Sequence, residues 1–201
     1  MQSKSRSLVV AASLLLVVAL FFPIWKVSLS APQYPEGKGL FIWADKITGE
    51  LPHDLQIINE LNHYIGMKRI TPESIKELKI IPPVLVLFAL SGLAVGLKGG
   101  RKLLLAWLVL FAVAGAAGLY DFYSWEYDYG HDLNHNAPIQ VPGMTYQPPL
   151  IGRKQLLNIN VLSMPYIGGF AVFGSAFLAA YAYLRERKKA TGVKDSPWQS
   201  M

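Results

Sequence analysis

Residues 103–152 read LLLAWLVLFAVAGAAGLYDFYSWEYDYGHDLNHNAPIQVPGMTYQPPLIG, and the fold is decided where this stretch changes character. Up to position 120 it contains no Asp, Glu, Lys, Arg or His, which is typical of a helix in lipid. From Asp121 onward, aromatic residues alternate with acids, two histidines follow, and prolines and glycines then interrupt the chain. The stretch predicts a membrane-spanning helix that leads into a long irregular segment, and such segments are often functional.

Three other blocks have the same apolar character, so the sequence predicts an all-α membrane protein with four transmembrane helices. Of the 201 residues, 52% are hydrophobic, and the mean hydropathy is +0.30. Each block has close to the roughly 20 apolar residues that a bilayer requires. The predicted spans are residues 8–25, 81–97, 103–120 and 166–184.

Basic residues predict the orientation, because they are enriched on the cytoplasmic side of membrane helices. They cluster before the first span, between the second and third spans, and after the fourth. The formal charge of +6 is therefore a topology signal, and without a basic stripe on a soluble face no nucleic-acid partner is expected. The predicted cytoplasmic segments are 1–7, 98–102 and 185–201, and the predicted outer segments are 26–80 and 121–165, which we expect to form a small cap.

The first span has a second interpretation as a cleaved signal peptide. Ser28-Leu29-Ser30 before Ala31 is a weak cleavage pattern, and Pro32 follows it directly. The apolar run is also longer than the 7–15 residues of a signal-peptide core. The sequence therefore favours a retained helix.

Small residues predict close helix packing in the membrane. Gly92 and Gly96 have the GxxxG spacing that lets helix backbones approach closely in lipid. Packing within one bundle is the simpler explanation, and a homo-oligomer through Gly92 and Gly96 is the alternative. The spans contain no ionisable residue, which argues against an ion or charged-substrate transporter.

The first outer segment contains local structure signals. Apolar residues at helical spacing predict a helix over 54–67. Thr71 followed by Pro72 predicts the start of a second short helix. Residues 39–46 fit either a short strand or one helical turn.

Histidine and methionine predict a possible copper site in the outer segments. All four histidines lie there, and with cysteine absent, imidazole and thioether ligands would suit copper. His63 with Met67, and His131 with His135, are four residues apart and would share a helical face. A real site needs at least three of these side chains to converge, and otherwise the histidines are ordinary polar residues of exposed loops. The candidate ligands are His131, His135, His63, Met67, Asp128 and Asp132.

The aromatic residues after position 120 allow two interpretations. They fit an interfacial belt at the end of the third span, or a surface that binds a partner protein, since Tyr and Trp are common interface anchors. The candidate partner-binding residues are Trp125, Tyr127, Tyr129 and Tyr146.

Catalytic motifs are missing from the sequence, so the chain is not predicted to be an enzyme. It has no glycine-rich phosphate-binding loop and no nucleophile motif around a serine. Glu126, Asp128 and Asp132 could act as acids or bases, but they lie among aromatic residues. The absence of cysteine also excludes covalent haem attachment through a Cys-x-x-Cys-His motif.

Four segments carry a resemblance to a known family. They are APQYPEG at 31–37, ELNHYIGMK at 60–68, LYDF through YDYGHDL at 119–133, and IQVPGMTYQPPLIGRKQLLN at 139–158. Over roughly 8–183 the chain resembles small multi-pass membrane proteins encoded in nitrous oxide reductase gene clusters, especially clade II clusters of Bacteroidetes and related bacteria.

The resemblance implies a membrane accessory protein of nitrous oxide respiration, within denitrification, in the bacterial cytoplasmic membrane. Nitrous oxide reductase is a copper enzyme outside that membrane, so the chain would assist its copper supply and maturation, or dock the reductase or its copper chaperones. Two alternatives stay open: a non-catalytic structural subunit of a membrane complex, or a membrane component of the quinol-to-reductase electron path. The resemblance transfers no functional residue to this sequence.

Overall fold

The computed structural model describes residues 1–190, and it combines helices with a β-sheet. The predicted tail at 185–201 therefore falls partly outside the described residues. The helices are α1 (Ser3–Val18), α2 (Asp54–Tyr64), α3 (Glu77–Lys98), α4 (Arg101–His131) and α5 (Ile167–Ala190), with a short 3-10 turn at Pro72–Ser74. The strands are β1 (Trp25–Ala31), β2 (Tyr34–Ile42), β3 (Ile47–Gly49), β4 (Gly152–Leu156) and β5 (Ile159–Pro165).

The prediction of an all-α protein with four transmembrane helices is wrong in two respects. The described chain contains a five-stranded antiparallel sheet, and three of its helices, α3, α4 and α5, are long and apolar enough to cross a membrane. Residues 8–25 do not form one helix, because α1 ends at Val18 and Trp25 begins β1. Proline explains part of this break, since Pro23 offers no backbone N–H to continue a helix.

Helix α1 is the central element of the helical bundle. It packs between α3 and α5, and the side chains of Val9, Ala12 and Leu16 are fully buried. A Cβ atom added to Gly92 of α3 would lie 2.6 Å from the Ser13 Oγ, so the glycine permits close approach of the two helices. The GxxxG spacing thus serves packing within the chain.

The two predicted outer segments join in a single sheet with strand order β3-β2-β1-β5-β4. Strand β1 from the first segment pairs with β5 from the second, with Trp25 opposite Pro165 and Ser30 opposite Asn160. All neighbouring strands are antiparallel. The segments therefore depend on each other, because the central pair of strands comes from opposite ends of the sequence.

Helices cover one face of this sheet. Helix α2 forms within the predicted range 54–67 but ends at Tyr64, because Gly66 adopts a left-handed backbone with φ +83°. The side-chain amide of Asn59 exchanges two hydrogen bonds with the Ile70 backbone and ties the following segment to α2. Helix α4 continues past position 120 to His131. The sheet, α2 and residues 121–131 of α4 are called the cap below.

Helix α4 belongs to both parts of the molecule. Its 31 residues correspond to about 46 Å, longer than the roughly 30 Å hydrocarbon core of a bilayer. Trp107 and Phe111 are buried in the bundle, whereas Tyr129 belongs to the apolar core of the cap. One continuous helix therefore links the cap rigidly to the apolar bundle.

Candidate functional site on the cap

The aromatic residues at the end of α4 lie on two opposite faces of the helix. Phe122, Trp125 and Tyr129 face the sheet, where Trp125 and Tyr129 stack with ring centroids 4.4 Å apart. Tyr123 and Tyr127 point away from the sheet and are 43% and 45% exposed. The alternating sequence pattern is thus divided by the helical repeat into a buried set and an exposed set.

Four rings on this side of the helix are called the aromatic ladder below: the exposed Tyr120, Tyr123 and Tyr127, and the half-buried His131. The Tyr123 and Tyr127 ring centroids are 6.5 Å apart, and those of Tyr127 and His131 are 3.9 Å apart. The His131 Nδ1–H donates to the Tyr127 carbonyl oxygen at 2.8 Å, which fixes the imidazole against the tyrosine. The ladder is a preorganised surface, because stacking limits the rotamers that its rings can adopt.

Acidic residues accompany the ladder. Asp121 and Asp128 are exposed on the same helix, and their spacing of seven residues places them along one side of the row. An exposed aromatic row beside two carboxylates suits a partner with an apolar surface and neighbouring basic groups.

The opposite face of α4 closes a cavity of about 100 Å³ inside the cap. Most of its lining is aliphatic or aromatic and comes from β1, β2, β5, α2 and α4. Four polar side chains also line it: Asn62 from α2, Glu126 and Tyr129 from α4, and Tyr146 from the segment before β4. The last three are 1%, 8% and 2% exposed, and the Glu126 Oε2 and both tyrosine hydroxyls have no hydrogen-bond partner among the described residues.

Burial changes the pKa values of two acidic groups that line this cavity. Desolvation raises the pKa of Glu126 from 4.5 to about 7, and it also raises the pKa of Tyr129. The apolar surroundings disfavour the charged carboxylate, and no basic side chain lines the cavity to compensate. Glu126 is therefore about half protonated near pH 7 and largely neutral at lower pH, whereas Asp128 and Asp132 are exposed to solvent.

The segment that carries Tyr146 is held tightly against α4. The Tyr146 N–H donates to the Gly130 carbonyl oxygen at 2.9 Å. A Cβ atom on Gly130 would lie 2.2 Å from the Gln147 Cα, so only glycine permits this contact. Tyr129 and Tyr146 are therefore packed inside the cap, and of the four candidate partner-binding residues Tyr127 is the most accessible.

The candidate metal ligands lie in different local surroundings. Helix α2 ends before Met67, and α4 ends at His131, so neither pair four residues apart lies on one helix. His63 and His135 are exposed, whereas Met67 lines the internal cavity. Within residues 1–190 no three His, Asp or Glu side chains stand together in an arrangement that could hold a metal ion.

Asp132 has a different partner. Its Oδ2 lies 2.5 Å from the Lys68 Nζ, and the hydrogen bond from Lys68 lowers the pKa of Asp132. The Asn134 N–H also donates to the Gly66 carbonyl oxygen at 2.8 Å. Asp132 therefore helps to join the two segments of the cap.

The chain matches no protein-family model, and no curated protein is significantly similar to it. The aromatic ladder and the buried cavity are therefore the main structural guides to what the protein does.

Sequence reasoning missed the internal cavity. On sequence alone Glu126 groups with Asp128 and Asp132, although the helical repeat puts Glu126 on the same side as Phe122 and Tyr129. The signal was present in the spacing, but it required knowing that α4 continues to His131.

Proposed function

We propose that the protein is a membrane accessory protein of nitrous oxide respiration that docks extracytoplasmic nitrous oxide reductase on its cap. The observation that carries the proposal is the aromatic ladder, which is exposed, ordered and continuous with a membrane-capable helix. Tyrosine rings with little conformational freedom are efficient anchors for protein partners.

The ladder supports docking more strongly than metal storage. Stacking with Tyr127 orients His131, and Lys68 neutralises Asp132, so both side chains already have partners within the cap. Copper delivery would then be a task of the docked assembly, with the cap holding the reductase near its maturation machinery.

The partner's identity rests on the sequence resemblance at residues 31–37, 60–68, 119–133 and 139–158. Two of these segments contain the residues that join the halves of the cap, since Lys68 and Asp132 lie in them. The basic ends of the helices support a bacterial cytoplasmic membrane location with the cap outside. Three membrane-capable helices and a rigid link through α4 fit an anchored docking platform.

The copper content of nitrous oxide reductase from cells with and without this protein separates maturation from docking for respiration. A copper-poor, inactive enzyme in the deletion strain would place the docking step in maturation. A fully loaded enzyme in cells that no longer respire nitrous oxide would place docking in activity at the membrane. Normal copper content together with normal respiration would overturn the proposal.

The same measurement can be repeated with point variants of the ladder. Tyr123→Ala with Tyr127→Ala should reproduce the deletion phenotype if the ladder is the docking surface. Tyr64→Ala is the matched control, because Tyr64 is 53% exposed on α2 and lies outside the ladder.

A further inference from the structure

A groove between α1 and α3 changes from polar to apolar along its length. It has a volume of about 490 Å³, several times the roughly 150 Å³ cavity that accepts benzene. Ser3, Arg6 and Ser7 line its first part, and Val10, Ala11 and Leu14 line the remainder from the same face of α1. A groove with a polar mouth and an apolar remainder suits an amphiphilic ligand, which has a polar head group and an apolar chain.

The groove is long enough for a lipid head group and the first part of an acyl chain. From Ser3 to Leu14 the helix rises by about 16 Å, and the apolar part from Val10 to Leu14 covers about 6 Å of the roughly 15 Å half-thickness of the hydrocarbon core. Leu14 and Leu97, on the two walls, are 58% and 61% exposed within the chain. The first part of a lipid acyl chain extended along α1 would therefore cover the apolar side chains of the groove.

The end of the bundle at which the groove opens is strongly basic, and Arg6 lines the groove itself. The N-terminal ammonium of Met1 donates to the Gly99 carbonyl oxygen at 2.9 Å, and the Gln2 N–H donates to the Glu186 Oε1 at 2.9 Å. These hydrogen bonds connect the start of α1 to the α3–α4 turn and to the end of α5. Among the described residues at this end, Glu186 is the one acid, and the basic residues are Lys4, Arg6, Lys98, Arg101, Lys102, Arg185, Arg187 and Lys188.

Arg6 is held in a position that leaves donors for a ligand. Its Nε donates to the Gly96 carbonyl oxygen at 3.0 Å, and its Nη2 donates to the Leu97 carbonyl oxygen. A guanidinium group has five N–H donors, so these two bonds fix its plane and leave others available. Arginine with a fixed plane is well suited to phosphate.

We propose that this groove binds one anionic phospholipid, with the phosphate at Arg6 and one acyl chain along Val10, Ala11 and Leu14. Charge selects the lipid class, since basic pockets between membrane helices on one side of the bilayer favour anionic head groups. The groove lies at the opposite end of the bundle from the cap, so the inference is independent of the docking proposal.

Retention of phospholipid by the full chain purified in detergent tests the inference. The probes are phosphatidylglycerol and phosphatidylcholine with identical acyl chains, and the readout is lipid bound per chain by native mass spectrometry. We expect phosphatidylglycerol to be retained at least about fivefold better than phosphatidylcholine. Equal retention of the two lipids would overturn the proposal.

Two variants examine the head group and the chain separately. Arg6→Gln removes the phosphate partner, and Ala11→Leu fills the apolar channel while keeping every charge. Both should lower phosphatidylglycerol retention at least about fivefold, whereas Lys46→Gln, an exposed basic residue of the cap, should leave it unchanged.

Ala11→Leu decides the question alone if Arg6→Gln does not fold, because Arg6 also holds the end of α3. Wild-type retention in folded Ala11→Leu would contradict a seated acyl chain and leave only general attraction between basic residues and anionic lipid. Inorganic phosphate added without lipid should neither bind measurably nor raise the thermal midpoint, and stabilisation by phosphate alone would also contradict the proposal.

Discussion

The indole N–H of Trp25 donates to the Ser163 Oγ at 2.7 Å, joining two strands whose residues are 138 positions apart. Both side chains are buried, with Trp25 4% exposed and Ser163 fully covered. The Ser163 hydroxyl also donates to the Leu150 carbonyl oxygen at 3.1 Å. This chain of bonds lies at the end of the sheet where β1 begins, and it connects β1, β5 and the segment before β4.

Ser163→Ala should lower the free energy of unfolding by about 1–3 kcal/mol, because it leaves the Trp25 N–H buried without an acceptor. Ser124→Ala is the control, since the Ser124 hydroxyl bonds to its own helix on an exposed face. The control should change stability by less than about 0.5 kcal/mol. Equal thermal midpoints for the two variants in detergent would show that this hydrogen bond contributes little.

Two glycines of α4 should respond oppositely to alanine. Gly130→Ala places a Cβ against the backbone of Gln147, which cannot rotate away, so the segment carrying Tyr146 must detach or shift. Gly118→Ala meets nothing within 4 Å and should stabilise the helix by roughly 0.5–1 kcal/mol. Limited proteolysis between positions 132 and 151 checks the first expectation, and resistance equal to wild type would contradict it.

Glu126 should give the cap a stability that falls as pH rises. Below about pH 4.5 the carboxyl group is protonated in both states and its contribution is complete. Between about pH 4.5 and 7 the unfolded chain loses the proton while the folded chain keeps it, so stability decreases by roughly 3 kcal/mol in total. Above pH 7 the loss is complete.

The comparison with Glu126→Gln isolates this effect. The variant keeps a neutral side chain of similar shape, so its thermal midpoint should be higher than that of the wild type at pH 8 and similar at pH 4. Asp132 and Glu36, whose pKa values are lowered by Lys68 and Lys38, titrate in both proteins and cancel in the difference. Parallel curves from pH 4 to 9 would contradict a buried neutral acid.

Changing the aromatic ladder should weaken binding of the reductase without unfolding the cap. Tyr123→Ala with Tyr127→Ala removes two exposed rings, and anchors of this kind often contribute 2 kcal/mol or more, or about thirtyfold in Kd. Binding of purified nitrous oxide reductase to the chain in nanodiscs measures this. Tyr64→Ala should bind like the wild type, and equal weakening by the control would contradict a localised site.

The apolar helices were predictable from sequence because composition alone identifies α3, α4 and α5. A short strand was one of two options for residues 39–46, which overlap β2. The other strands were missed, although β1 alternates Trp25, Val27 and Leu29 with polar residues, the period-2 signal of a strand. Counting apolar residues assigned Trp25 to the first span and hid that pattern. The pairing of β1 with β5 was beyond local reasoning, since the partner strand lies more than 100 residues away.

The site was predictable only in part for a related physical reason. Tyr127 was identified as a partner residue, and it is exposed, but Trp125 and Tyr129 face the sheet because α4 continues as a helix. Spacing of four residues suggested shared helical faces for His63 with Met67 and for His131 with His135, yet α2 ends at Tyr64 and α4 ends at His131. Whether residues four apart share a helical face depends on where the helix ends, and tertiary contacts set that end.

The most direct test of the docking proposal is a photo-crosslink from the ladder in respiring cells. A benzophenone amino acid at position 127 should form a covalent adduct with nitrous oxide reductase, and the same probe at position 64 should not. Adducts with the reductase from both positions, or with lipid alone from position 127, would contradict docking at the ladder. Lipid adducts alone would identify the rings as an interfacial belt.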